Sequence, residues 1–174
     1  MAPKFDPKEK QISVAFVCLG NICRSPMAEA IFKHQVQKLG YAPFFKTIDS
    51  FGTSGWHIGE TPDSRSVKTC KKHNVPVNHY AQQITASDFD DFDYVLGMDE
   101  ANVSNLKSIM PKGKGNRDNV RIGLFGEWNT EGSGFKTIVD DPYYGGIDGF
   151  EYNYQQICHF TEEFLKREIG SLDD

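Results

Sequence analysis

No stretch of the 174 residues is apolar for long enough to cross a bilayer, and Met1 to Gln11 lacks the apolar core of a signal peptide. The expectation is a cytoplasmic protein with no membrane partner. Positive charge is not in excess either. Nineteen Lys and Arg stand against 24 Asp and Glu, a net charge of -5, whereas a nucleic-acid binder presents a basic face. No nucleic-acid partner is expected. Cysteine is sparse: Cys18, Cys23, Cys70 and Cys158 are scattered along the chain without a secretory signal, which argues against a disulfide framework. Four residues separate Cys18 from Cys23, but no second pair or nearby histidine completes four ligands, so no metal site is expected. Cys70 and Cys158 read as buried filler. Repeats, low-complexity tracts and interdomain linkers are also missing. One domain over residues 12–170, after a short tail at 1–11, accounts for the length.

What is present alternates in period. Ile12 to Val17 is a short β-branched and aromatic run, the pattern of a strand buried on both faces in a parallel sheet. A helix follows, with Ser25 as N-cap, Pro26 in the first helical position, and apolar residues at helical spacing through Ala28, Ile31, Phe32, Val36 and Leu39. Gly40 ends it. Phe44 to Ser50 reads as a second strand and Gly52 to Asp63 as a glycine-rich loop, after which Thr61-Pro62 opens a helix to about His73. Tyr94 to Met98 is a third strand, leading to a helix from Asp99 to Ile109. A basic turn, Pro111 to Asn119, precedes a fourth strand at Val120 to Phe125. Asp148 and Glu151 have capping-box spacing for a last helix, whose inward stripe is Phe150, Tyr154, Ile157, Thr161, Phe164 and Leu165. Strand and helix in alternation call for a three-layer α/β domain with a mainly parallel sheet, and ligands of such sheets bind beyond the carboxyl ends of the strands. The loops after Val17, Met98 and Phe125 all leave from that edge.

The first of these loops carries the chemistry. In Val17-Cys18-Leu19-Gly20-Asn21-Ile22-Cys23-Arg24-Ser25-Pro26, a cysteine and an arginine are separated by five residues. Chance readily supplies that spacing. Its position between a buried strand and a helix N-terminus is the informative part, because there successive N–H groups can point at one anion. Gly20 allows close backbone approach and Asn21 tolerates left-handed dihedrals. The Arg24 guanidinium can hold two phosphoryl oxygens at once, and the same positive field favours a thiolate at Cys18. A thiolate beneath a bound phosphoryl group is a nucleophile aimed at phosphorus. The leaving oxygen then needs a proton, for which Asp140-Asp141-Pro142 offers two candidate carboxyls on a later loop.

These residues closely resemble the low-molecular-weight protein tyrosine phosphatases. The likeness runs from Cys18 to Ala30 and recurs at Asp49-Ser50, Thr53 to Trp56, His79, Phe92 to Leu96, Met98 to Glu100 and Asp141 to Gly145. It implies a four-stranded parallel sheet flanked by helices. It also implies hydrolysis of phosphotyrosine proteins and small aryl phosphates through a phosphocysteine, with an acid-phosphatase character, no cofactor, and phosphate as product inhibitor. By resemblance Cys18 is the nucleophile, Arg24 binds phosphate, and Asp141, directly before proline, is acid and base. Leu19, Gly20, Ile22 and Cys23 complete the phosphate loop. Ser25 stabilises the thiolate, and Asn21, Ser50 and His79 form the network that holds the loop. Trp56 and Tyr143 wall a cleft deep enough for a phenyl ring. Cys23 is the neighbour with which Cys18 forms a reversible disulfide, and Tyr143 and Tyr144 resemble positions that kinases phosphorylate.

Two departures stand out: Gly97 where relatives carry cysteine, and a longer segment from Gly126 to Lys136, with Trp128 and Phe135, that bears on the cleft edge. The competing functions are an arsenate reductase on the same fold, a non-catalytic phosphotyrosine-binding module and a cysteine protease pairing Cys18 with His79. Arsenate reduction requires further thiols, and no cysteine lies between Lys71 and Gln156. Cys18, Arg24 and Asp141 are all intact, against a decayed binding module, and a phosphate cradle argues against a protease.

Overall fold

The computed structural model describes residues 2–110, 120–143 and 145–172. The turn expected at Pro111 to Asn119, and Tyr144, lie outside them. Four strands, β1 (Ile12–Cys18), β2 (Phe45–Gly52), β3 (Tyr94–Gly97) and β4 (Arg121–Leu124), form one sheet in the order β2-β1-β3-β4. All three pairings are parallel, with Phe16 opposite Ser50 on one side and Leu96 on the other. The helices are α1 (Arg24–Lys38), α2 (Ser64–Lys72), α3 (Glu100–Ile109) and α4 (Ile147–Glu168). None among the described residues is long and apolar enough to cross a membrane.

Side chains of β1 alternate between two cores, as a strand's period of two requires. Val14, Phe16 and Cys18 face the larger core beneath α1, α2 and α4, where the Phe16 ring lies 5.1 Å from Phe32 and 4.9 Å from Phe125. Ala15 and Val17 face the smaller one, with Val95, Phe89 and Leu106. Every residue of β1 is buried, which is why that strand reads as a continuous apolar run. Chain connections depart to opposite sides of β1, toward β2 through α1 and later to β3. The crevice beyond the carboxyl ends of β1 and β3 is therefore the switch point at which α/β sheets take ligands.

Strand ends and the start of α3 shift by one or two residues from expectation, and three helix starts give side chains different roles. Helix α1 begins at Arg24, with Cys23 in the cap position and no side-chain cap, so Ser25 is not its N-cap. The Ser25 hydroxyl faces the Cys18 sulfur instead, and Pro26 stands third in the helix, still in the first turn, where a missing N–H costs nothing. Helix α2 starts at Ser64 rather than Thr61, capped by Asp63, whose carboxylate accepts from the Arg65 N–H. Helix α4 starts at Ile147 after Gly146, which leaves Asp148 inside its first turn. Glu151 is then no capping residue, and its carboxylate receives His73 Nε2 at 2.9 Å. The inward stripe of α4 is as expected, and Gly40 follows α1 at φ 85°.

Candidate active site

The loop from Cys18 to Arg24 closes around a cavity of ≈ 170 Å³. Cys18, Gly20, Ile22, Cys23 and Arg24 line its floor; Leu19, Trp56, His57, Asp141 and Tyr143 rise around it. The loop's curvature has two local causes. Asn21 adopts φ 59°, the left-handed conformation that asparagine tolerates. At the end of β2, Gly52 lies so close that a Cβ would stand 2.8 Å from the Leu19 carbonyl and 3.1 Å from the Asn21 nitrogen. Gly20 leaves room for a neighbour the sequence did not reveal: a Cβ there would stand 2.9 Å from His57 Cδ2, and that partly exposed ring would have to shift.

Cys18 is 2 % exposed, and its sulfur lies 3.0 Å from Ser25 Oγ. That hydroxyl already accepts from Asn21 Nδ2 at 2.8 Å, so its own proton is available to the sulfur or, at 3.3 Å, to the Phe51 carbonyl. Arg24 is 3 % exposed. Its Nη1 donates to Asp99 Oδ2 at 2.6 Å and to the Val139 carbonyl at 3.1 Å, and Nη2 stands 3.7 Å from Asp141 Oδ2. Its Nε is buried and without a partner among the described residues. One edge of the fork is thus fixed to the scaffold and the other is free for two oxygens of an anion. Burial works against the charge of Arg24, but the Cys18 sulfur, Asp99 and Asp141 outweigh it and hold its pKa above the ordinary value.

Behind the loop, Asn21 satisfies all four of its side-chain valences. Nδ2 donates to Ser25 Oγ and, at 3.1 Å, to Ser50 Oγ; Oδ1 accepts from His79 Nε2 at 2.6 Å and the Gln82 N–H at 2.9 Å. Ser50 Oγ donates to Glu29 Oε1 at 2.7 Å, and His79 Nδ1 lies 3.2 Å from the same oxygen. Glu29, Asp49 and His79 bring possible ligand atoms within 4.8 Å of one another. Each is committed elsewhere, Glu29 also to Lys33 and Asp49 to the Ser50 N–H and Gln82, so the trio is a hydrogen-bond network rather than an open ligand set.

The two candidate carboxyls separate. Asp141 reaches the cavity and accepts from the Tyr143 N–H at 3.0 Å. Asp140 pairs with Lys136 Nζ at 2.5 Å, on the surface. Trp56, 74 % exposed, and Tyr143 stand on the rim. Cys23 is buried beside the cradle; burial first, then the Asp63 carboxylate, pushes its thiol well up. The segment Gly126 to Lys136 contributes no side chain to the cavity lining. Trp128 packs under β4 against Phe164, 4.8 Å between rings, and Phe135 lies on α4 against Tyr152 and His159.

Sequence reasoning missed five partners: Glu29, Asp99, Gln82, His57 and Arg65. Glu29 and Asp99 fell inside segments of family likeness without a role. Nothing local marks the other three.

A family model described as low molecular weight phosphotyrosine protein phosphatase matches residues 13–171. A low molecular weight phosphotyrosine protein phosphatase of Saccharomyces cerevisiae is 52% identical over 162 residues, covering 93% of this chain and 98% of the relative. Among solved structures, a protein tyrosine phosphatase from Entamoeba histolytica is similar at a TM-score of 0.80 and 33% identity, covering 91% of this chain and 97% of the other. A Drosophila arginine phosphatase is similar at 0.81 and 36%, covering 94% and 100%.

Proposed function

The chain belongs to the low molecular weight phosphotyrosine protein phosphatase family, and from that premise we propose that it hydrolyses phosphotyrosine in proteins and small aryl phosphates through a phosphocysteine. The observation that carries the reading is the cradle itself: a buried sulfur, a half-committed buried arginine and a carboxyl at the rim around one cavity.

Cys18 Sγ attacks phosphorus while the loop amides and the free edge of Arg24 take the equatorial oxygens. Asp141 gives its proton to the departing phenolate, and then accepts one from the water that cleaves the phosphorus–sulfur bond. The Ser25 hydroxyl lowers the energy of the thiolate both as nucleophile and as leaving group. Asn21, Ser50 and His79 keep the loop in its curved shape. Trp56 and Tyr143 present aromatic surface against which a phenyl ring can pack. Phosphate, held by the same groups, inhibits as product. Residues 12–170 act as one domain, in the cytoplasm. Arsenate reduction is disfavoured because, beyond Cys18 and its neighbour Cys23, the chain's thiols lie away from the cavity: Cys70 is buried in the larger core and Cys158 is half-buried against it.

The test is hydrolysis of phosphotyrosine and phenyl phosphate by Cys18→Ser, Asp141→Ala and Asp140→Ala. The first should be inactive yet still bind phosphate; the second should lose on the order of 10²–10⁴ in rate and the third little. Turnover by Cys18→Ser would exclude Cys18 as nucleophile, and a larger loss in Asp140→Ala would move the acid by one residue.

A further inference from the structure

We propose that Arg65 is a positioning residue for the reaction, holding the Asp141 loop over the phosphate cradle. The inference rests on Asp141 being the proton donor. Arg65 is the second residue of α2, and its guanidinium is used on two sides. Toward its own helix it forks onto Asp63, Nε to Oδ1 at 3.0 Å and Nη2 to Oδ2 at 2.9 Å. Toward the acid loop, Nη2 donates to the Tyr143 carbonyl at 2.8 Å and Nη1 to the Gly145 carbonyl at 3.1 Å. Its flat faces are engaged as well, 4.6 Å from the Phe150 ring centroid and 5.6 Å from that of Tyr143.

The far end of this strut is the cradle. The Asp63 N–H donates to the Ile22 carbonyl at 2.7 Å, so the residue that anchors Arg65 is bonded to the phosphate loop's own backbone. Cradle, Asp63, Arg65 and acid loop form one continuous series of hydrogen bonds. Asp141 itself is poorly held by comparison: its side chain is 43% exposed, accepts from the Tyr143 N–H, and meets Arg24 only at 3.7 Å. Two main-chain carbonyls just after Asp141 are what Arg65 grips, and a guanidinium can bind both together with a carboxylate because its donors form a rigid fork. A lysine has the charge without the fork.

A strut that positions a general acid has a kinetic signature that a merely structural residue lacks. A phosphate ester with a strongly acidic leaving group, such as 2,4-dinitrophenyl phosphate, needs no proton from the enzyme, whereas phenyl phosphate does. The experiment measures kcat/KM for both esters in the wild type, Arg65→Met, Arg65→Lys and Asp141→Ala, with melting temperature and phosphate affinity in parallel. Displacing a reacting group by about 1 Å can cost on the order of 100-fold. Arg65→Met should therefore lose about 10- to 100-fold on phenyl phosphate and less than about 3-fold on the dinitrophenyl ester, with phosphate affinity unchanged. Arg65→Lys should fall between. Equal losses on both esters in Arg65→Met, or unchanged phenyl phosphate hydrolysis, would overturn the role of Arg65 while Asp141→Ala still discriminates between the esters. If Asp141→Ala fails to discriminate, the acid assignment falls and the proposal falls with it. Should Arg65→Met not fold, the same ratio in Arg65→Lys decides.

Discussion

Replacing Asn21 with alanine and, separately, with glycine separates the two devices that shape the cradle. Asn21 is 1 % exposed, sits at φ 59° and makes four side-chain hydrogen bonds to Ser25, Ser50, His79 and the Gln82 N–H. Both substitutions delete all four bonds, at a net cost of about 1 kcal/mol each, so about 4 kcal/mol in all. Alanine keeps a Cβ in the left-handed region, as asparagine does, at about 1–2 kcal/mol relative to glycine, while glycine is free of that strain but carries an entropic cost of about 0.5–1 kcal/mol. Asn21→Ala should therefore be the less stable by about 0.5–1 kcal/mol. For a chain of this size a loss of about 4 kcal/mol lowers the melting temperature by about 8–16 °C. Urea unfolding followed by tryptophan fluorescence gives both free energies, and phosphate affinity should fall in both variants because Ser25 and the loop lose their brace. Losses below about 1 kcal/mol in both would refute the idea that the network holds the loop. Alanine equal to or better than glycine would refute the role of the backbone conformation.

Asp99→Asn keeps the shape of the residue that receives Arg24 Nη1 at 2.6 Å but removes its charge. Phosphate binding should weaken by about 10-fold, roughly 1.4 kcal/mol, in isothermal titration; unchanged affinity would show that Val139 alone suffices to orient the guanidinium. The Asp63 carboxyl, held below its ordinary pKa chiefly by the Arg65 hydrogen bond, links stability to pH. A depressed folded pKa contributes stability that is present above the unfolded value and is lost as pH falls through the folded one. Unfolding free energy should thus decline below about pH 4, with a shallower slope in Asp63→Asn. An identical slope in that variant would remove Asp63 from the acid limb.

The sheet, the phosphate loop and the inward face of α4 were legible because each is written in consecutive or periodic residues. Ile12 to Val17 announces a central strand, and Cys18 to Arg24 supplies its floor residues in one uninterrupted run. Errors came where a side chain had two possible partners. Ser25 looks like a cap but is drawn to the Cys18 sulfur, and Glu151 has cap spacing but pairs with His73. The supports of the site were illegible for a different reason. Glu29, Gln82 and Asp99 reach Asn21, Ser50, His79 and Arg24 only because the parallel crossovers bring β1, β2 and β3 side by side. His57 and Arg65 act through contacts with Gly20 and with carbonyls 78 and 80 residues away, which no local pattern encodes. The proposal of Asp141 rather than Asp140 as the acid, open on spacing alone, rests on geometry: one faces the cavity and the other a surface lysine.

The central claim is covalent, and rapid quenching with radiolabelled phosphotyrosine substrate tests it most directly. Within the first turnover, label should reside on the peptide that contains Cys18, disappear as inorganic phosphate is released, and never form in Cys18→Ser. Release of phosphate at the full rate with no labelled protein, or with label on another residue, would contradict the account.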